Sequence, residues 1–137
     1  MQVLEDNIDN IFLFAITWSM CCTVDYEGRL KFNALIRDLI KNHTKIEFPE
    51  AGLIYNYQYE FSQEERKYVL WEETNKNVMI DPKLQYHEIM IPTSDSARNI
   101  FLLKLLISNG KNVLNVGPTG TGKSLNINQL ITKVLGD

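Results

Sequence analysis

Toward the C-terminal end the sequence reads Gly117-Pro118-Thr119-Gly120-Thr121-Gly122-Lys123-Ser124, which satisfies G-x-x-x-x-G-K-[ST] at every fixed position. No other stretch narrows the possible folds so far. Glycines at these places let successive backbone N–H groups turn inward and form a nest for an anion. A helix beginning at the lysine adds free N–H groups and the positive end of its dipole. In a loop of this kind the lysine reaches the β- and γ-phosphates of a nucleotide and the serine hydroxyl ligates Mg²⁺. The pattern asks for a strand ending just before the loop and a helix starting just after it. Residues 112–116, Asn-Val-Leu-Asn-Val, read as the strand. Residues 125–135 read as an amphipathic helix, with Ile127, Leu130, Ile131, Val134 and Leu135 on one face. The eight loop residues, Gly117 through Ser124, are the expected nucleotide contacts, with Ser124 also the expected Mg²⁺ ligand. A Gly-rich turn with no ligand is the competing reading, and the flanking pattern disfavours it.

Only thirteen residues follow Ser124. A P-loop ATPase also needs an acid on a later strand to hold Mg²⁺ and orient water, and a lone strand leaves unpaired edges. The expectation is therefore part of a nucleotide site, incomplete for hydrolysis, with the remaining apparatus in a continuation of the chain or lost from a gene remnant. No catalytic residue is assigned.

The remaining composition excludes more than it selects. The 137 residues suit one domain, and 45% hydrophobic with 23% charged is an ordinary globular balance. A net charge of −3 argues against nucleic acid or an anionic membrane as the main partner. The apolar run at residues 11–22 is too short to span a bilayer, which takes about 20 residues, and its upstream flank is acidic, unlike a secretory signal. It reads as a buried helix. The two cysteines, Cys21 and Cys22, are adjacent and rarely bridge; they fit buried structural thiols in a reducing compartment such as the cytosol. His43 and His87 have no ligand-spaced neighbours, so no metal cluster is expected.

Three blocks precede or contain the loop. Residues 1–43 read as helical: Leu4, Ile8, Ile11, Phe12 and Ala15 recur at helical spacing, a turn follows at 23–28, and Phe32, Leu35, Ile36 and Leu39 share one face of a second helix. Residues 44–87 are mixed. Tyr55, Tyr57, Tyr59 and Phe61 alternate with polar residues, the period of a strand with one buried face, and packing is favoured over base stacking. Ser62-Gln63-Glu64-Glu65 has capping-box form, and Asp81-Pro82 marks a break. Trp18 and Trp71 are expected in cores. In residues 88–137, residues 87–91 read as extended. Thr93, Ser94 or Asp95 caps a helix running through 100–107, Lys104 and Lys111 are solvated, and Asn109-Gly110 stops the helix.

Taken together these motifs resemble the dynein heavy chain, across most of the sequence. In that family a segment of the form Ile-x-Val-Pro-Thr-x-Asp-Thr-x-Arg introduces the third AAA+ module. Here it reads Ile89-Met90-Ile91-Pro92-Thr93-Ser94-Asp95-Ser96-Ala97-Arg98. A helix, a short strand and the phosphate loop follow in the same order. Upstream, the family's helical lid carries a Trp-Ser pair, an acidic turn and an Arg-x-x-Phe helix. The counterparts are Trp18-Ser19, Asp25, Gly28-Arg29 and Phe32, preceded by Phe12 and Phe14. Cys21-Cys22 stand where glycines are common, and Ser96 and Ser124 replace threonines while keeping a hydroxyl.

The resemblance implies an α/β fragment. Residues 1–43 would be the helical lid of the preceding AAA+ module and residues 44–87 a connector. Residues 88–137 would be the N-terminal helix–strand–P-loop–helix of a P-loop NTPase fold. It further implies ATP and Mg²⁺ as cofactors and an adenine pocket near residues 91–98. The implied partners are the rest of a heavy-chain ring and, through the parent motor, microtubules and other dynein chains, in cytoplasm and cytoskeleton and in the cilium or axoneme. No membrane and no nucleic acid are implied. The alternatives are a fragment of another P-loop NTPase or kinase, and a non-catalytic remnant or interaction module.

Overall fold

The computed structural model describes residues 5, 7–41, 46, 48–61, 66–75, 91 and 93–134. The chain divides into two units, Met1–Leu70 and Trp71–Asp137. The sequence readings at Leu4, Asn42-His43, 62–65, Asp81-Pro82, 87–90 and Leu135 lie outside the described residues.

The first unit is built on two helices, α1 (Ile8–Ser19) and α2 (Tyr26–Ile40). The inward face of α1 differs from the apolar stripe read in the sequence. Asn10, Leu13 and Thr17 are buried, together with the cap residue Asn7, whereas Ile8 and Phe12 are 57% and 66% exposed. The cause lies in a hairpin far along the chain. The Tyr59 hydroxyl donates to Asn7 Oδ1, and the Tyr68 hydroxyl donates to Asn10 Oδ1 at 2.7 Å. Buried hydroxyls need acceptors; asparagines supply them, and Ile or Phe on that face would not. Thr17 donates to the Leu13 carbonyl at 2.7 Å, which settles its own hydroxyl within the helix.

Helix α2 begins where Asp25 Oδ1 accepts the Gly28 N–H at 2.8 Å, a standard N-cap. Gly28 is required there by space, since a Cβ would lie 2.9 Å from Val24 Cβ. Of the face read in the sequence, Ile36 is buried and Phe32 packs on the core, while Leu35 and Leu39 are more than half exposed. The core joins Leu13, Ile36, Ile54 and Tyr55, with Ile16, Trp18, Phe32, Ile40 and Phe48 packed against it.

Two arginines of α2 fasten the chain on either side of the helix. Arg37 donates to the Pro49 and Gly52 carbonyls at 2.9 and 2.8 Å and lies 5.3 Å over the Phe48 ring. Arg29 donates to the Cys22 carbonyl at 3.3 Å and lies 5.1 Å over Tyr55, whose hydroxyl donates to the Cys21 carbonyl at 2.9 Å. Cys21 and Cys22 are free and half-buried, more open than the buried thiols read in the sequence. Burial, then the neighbouring Cys22, pushes the Cys21 thiol up.

Strands β1 (Tyr57–Phe61) and β2 (Arg66–Leu70) form an antiparallel hairpin with Tyr57 opposite Leu70 and Tyr59 opposite Tyr68. The strand starts two residues later than the tyrosine alternation indicates, because Ile54–Asn56 is a 3₁₀ turn. Side chains hold that turn in place of a ladder: Asn33 Oδ1 accepts the Ile54 N–H at 3.0 Å, and Asn56 Oδ1 accepts the Leu53 N–H at 2.8 Å. Phe48 packs on Tyr68 and Tyr57 at 4.3 and 5.2 Å, so the tyrosines serve packing.

In the second unit Trp71 is 2% exposed and stacks on Phe101 of α3 (Ser94–Ser108) at 5.5 Å. Thr93 caps α3 reciprocally with Ser96: the Ser96 N–H donates to Thr93 Oγ1 at 3.2 Å, and the Thr93 N–H to Ser96 Oγ at 2.7 Å. Gly110, at φ +67°, ends α3, with its N–H on the Ile107 carbonyl and that of Lys111 on the Leu106 carbonyl, both at 2.9 Å.

Residues 112–116 correct the strand reading. They pair with no strand among the described residues, and Leu114 and Val116 are 88% and 77% exposed. A strand exists only where a neighbour takes up its N–H and C=O groups. The last helix is present as read through residue 134, with a change of pitch. Helix α4 spans Lys123–Gln129 and passes into a π-helical turn, Leu130–Val134. Its buried line is Asn126 and Leu130, and Ile127 and Ile131 face outward at 37% and 56%. No described helix is long and apolar enough to cross a membrane.

Candidate functional site

The Gly-rich loop lies between residues 112–116 and α4. Its backbone turns at two glycines in left-handed conformation, Gly120 at φ +79° and Gly122 at φ +74°. Residues with a Cβ rarely adopt these angles, so both positions call for glycine on conformational grounds alone. Gly122 also starts α4: its carbonyl accepts the Asn126 N–H at 2.9 Å.

The side chains fold onto the loop's own oxygens. Thr121 Oγ1 donates to the Pro118 carbonyl at 2.9 Å. Lys123 Nζ donates to the same carbonyl and to Thr121 Oγ1, the latter at 3.1 Å. The lysine stem passes close to Gly117, where a Cβ would meet Lys123 Cδ at 3.7 Å. Gly122 and Lys123 are half-buried, whereas Gly117, Pro118, Thr119, Gly120, Thr121 and Ser124 are exposed. The eight residues singled out in the sequence thus run through the loop into the first turn of α4. Ser124, in the first turn of α4, is exposed.

These residues fit a polyphosphate. The ammonium rests on two neutral oxygens and, among the described residues, no carboxylate lies within ion-pairing distance of it. An anion would therefore meet an uncompensated positive charge on a loop whose glycines allow close backbone approach. The described residues hold no cluster of three or more His, Cys, Asp or Glu side chains. A divalent ion here would rely on Ser124 and on ligand oxygens, the usual arrangement for Mg²⁺. Residues 91–98, read as neighbours of an adenine pocket, are described at Ile91, 72% exposed, and from Thr93 into α3. Sequence reasoning included Thr121 only as a variable loop position. Its hydroxyl, two residues before the lysine, is the group that joins Lys123 to the loop.

Comparison with known proteins agrees with this architecture. Residues 1–73 match the family model described as the dynein heavy chain AAA lid domain, and residues 78–137 match that of the P-loop containing dynein motor region. An AAA lid is thus joined to a P-loop region in one chain. The chain is 36% identical over 127 residues to rat (Rattus norvegicus) dynein axonemal heavy chain 12, which covers 83% of it. It is 32% identical over 147 residues to mouse (Mus musculus) dynein axonemal heavy chain 1, which covers 96% of it. With mouse dynein axonemal heavy chain 2 the identity is 32% over 118 residues, covering 85% of the chain. The chain belongs to the dynein heavy chain family. It spans about 4% of the length of the first two relatives and 2% of the third. No solved structure matches it significantly.

Proposed function

We propose that this chain is an ATP-binding segment of a dynein-type microtubule motor heavy chain. In this reading residues 1–43 are the lid of one AAA+ module, 44–87 the connector and 88–137 the start of the next module, the second and third of the ring. The observation that carries it is the Lys123 ammonium, without a carboxylate partner among the described residues, on a loop turned by Gly120 and Gly122. The backbone of residues 117–122, Pro118 excepted, supplies N–H groups and close approach, Lys123 supplies charge to the β- and γ-phosphates, and Ser124 offers its hydroxyl to Mg²⁺. Bound Mg²⁺–ATP would supply the phosphoanhydride and the bridging metal. The chain's own residues bind and orient it, and no catalytic residue is assigned among them. The partners in this reading are the rest of the heavy-chain ring, microtubules and other dynein chains. The axonemal names of the relatives support a cilium or axoneme as its location.

Fluorescence anisotropy with a ribose-labelled ATP analogue and Mg²⁺ tests the assignment. Because the chain carries part of a nucleotide site, weak binding that unlabelled ATP competes away, and that Lys123→Ala removes, is the expected result. Binding that persists unchanged in Lys123→Ala would exclude the loop as the site.

A further inference from the structure

We infer that Thr121 is a latch that regulates the phosphate loop, holding the Lys123 ammonium on the loop's own oxygens so that a polyphosphate must displace it. This rests on the proposed reading of the loop as a nucleotide site. Three contacts form a closed arrangement. Thr121 Oγ1 donates its proton to the Pro118 carbonyl at 2.9 Å and so turns its lone pairs to Lys123. Lys123 Nζ donates into those lone pairs at 3.1 Å and also to the Pro118 carbonyl. Two of the three ammonium donors are therefore spent on neutral oxygens. The lysine also lies across Gly117, with Nζ 3.9 Å from where a Cβ would stand. The free loop holds its cation folded inward.

A site of this kind binds with its intrinsic affinity divided by the fraction of open loops. Removing the Thr121 hydroxyl takes away one ammonium partner and frees the Pro118 carbonyl from its second donor. Val matches threonine in shape and lacks the hydroxyl; Ser keeps it. One hydrogen bond of ordinary net strength corresponds to a change in apparent affinity of about three- to tenfold. The direction is counter-intuitive: losing a polar group from the loop tightens phosphate binding.

The test uses the full 137-residue chain, ¹⁵N-labelled, with inorganic tripolyphosphate and no metal. Without ligand, a hydrogen-bonded Lys123 ammonium gives a ¹H–¹⁵N signal at low temperature, assigned by its loss in Lys123→Ala. The signal should be present in the parent chain and Thr121→Ser and weaker in Thr121→Val, where of the two contacts the one to Pro118 remains. Titration followed on the amides of residues 117–124 should show Thr121→Val binding three- to tenfold tighter than the parent and Thr121→Ser equal to it. Amide signals of α3, in the same unit as the loop and unchanged among the variants, establish that each folds. Equal or weaker binding by Thr121→Val overturns the proposal, and so does an ammonium signal as strong in it as in the parent. If tripolyphosphate moves no loop amide in any form, the nucleotide reading itself fails and the regulatory role with it. The ammonium signal then reports separately whether the contact exists.

Discussion

At the scale of single residues, the tyrosines and asparagines between α1 and the hairpin set the stability of the first unit. Tyr68 is held well above the ordinary tyrosine range by burial, and then by the nearby Tyr59. The sign follows from linkage. Below about pH 10 Tyr68 is protonated in folded and unfolded chains, and its contribution is fully present. Above that pH the unfolded chain releases the proton while the folded chain keeps it, so stability falls as pH rises. Thermal melts should show the transition temperature dropping above pH 10, less steeply in Tyr68→Phe. At neutral pH that variant loses the donor to Asn10 Oδ1 and should be less stable by about 1 kcal/mol. Gly28→Ala is a second case. The added methyl meets Val24 Cβ at 2.9 Å, and denaturant unfolding should show a loss of about 1–3 kcal/mol from overpacking. A neutral result would mean the turn before α2 yields without cost.

Elements were legible in the sequence where their signals are local. Thr93 and Asn109-Gly110 bracket α3 as read, because caps are made by residues within one turn of the helix end. Thr93→Ala should cost about 1 kcal/mol in the same unfolding experiment. Which face turns inward was less legible. The period of α1 was sound, but its buried residues answer to hydroxyls 52 and 58 positions away, and no local pattern carries that information. The start of β1 was missed for a related reason, since Asn33, on another helix, takes the Ile54 N–H. Residues 112–116 have the composition of a strand and remain unpaired among the described residues, because composition cannot supply a neighbour. Their exposed Leu114 and Val116 are a ready edge for self-association. Sedimentation at rising concentration should show oligomers that Leu114→Lys suppresses, and an unchanged distribution would show the segment to be inert.

At the scale of the whole molecule, the loop geometry was legible where the motif makes backbone demands on contiguous residues. Gly120 and Gly122 meet those demands with positive φ. What the motif did not indicate was the hydroxyl contact at Thr121, which depends on how the lysine folds back. Membership of the dynein heavy chain family, carried by the lid and P-loop matches together, gives the loop its context. The central claim is that residues 117–124 receive Mg²⁺–ATP through Lys123. Heteronuclear NMR of the ¹⁵N-labelled chain, titrated with Mg²⁺–ATP, tests it most directly. The account predicts shifts concentrated in the amides of residues 117–124 that vanish in Lys123→Ala, whose remaining spectrum is unchanged. Shifts confined to other parts of the chain, or equal shifts in Lys123→Ala, would contradict it.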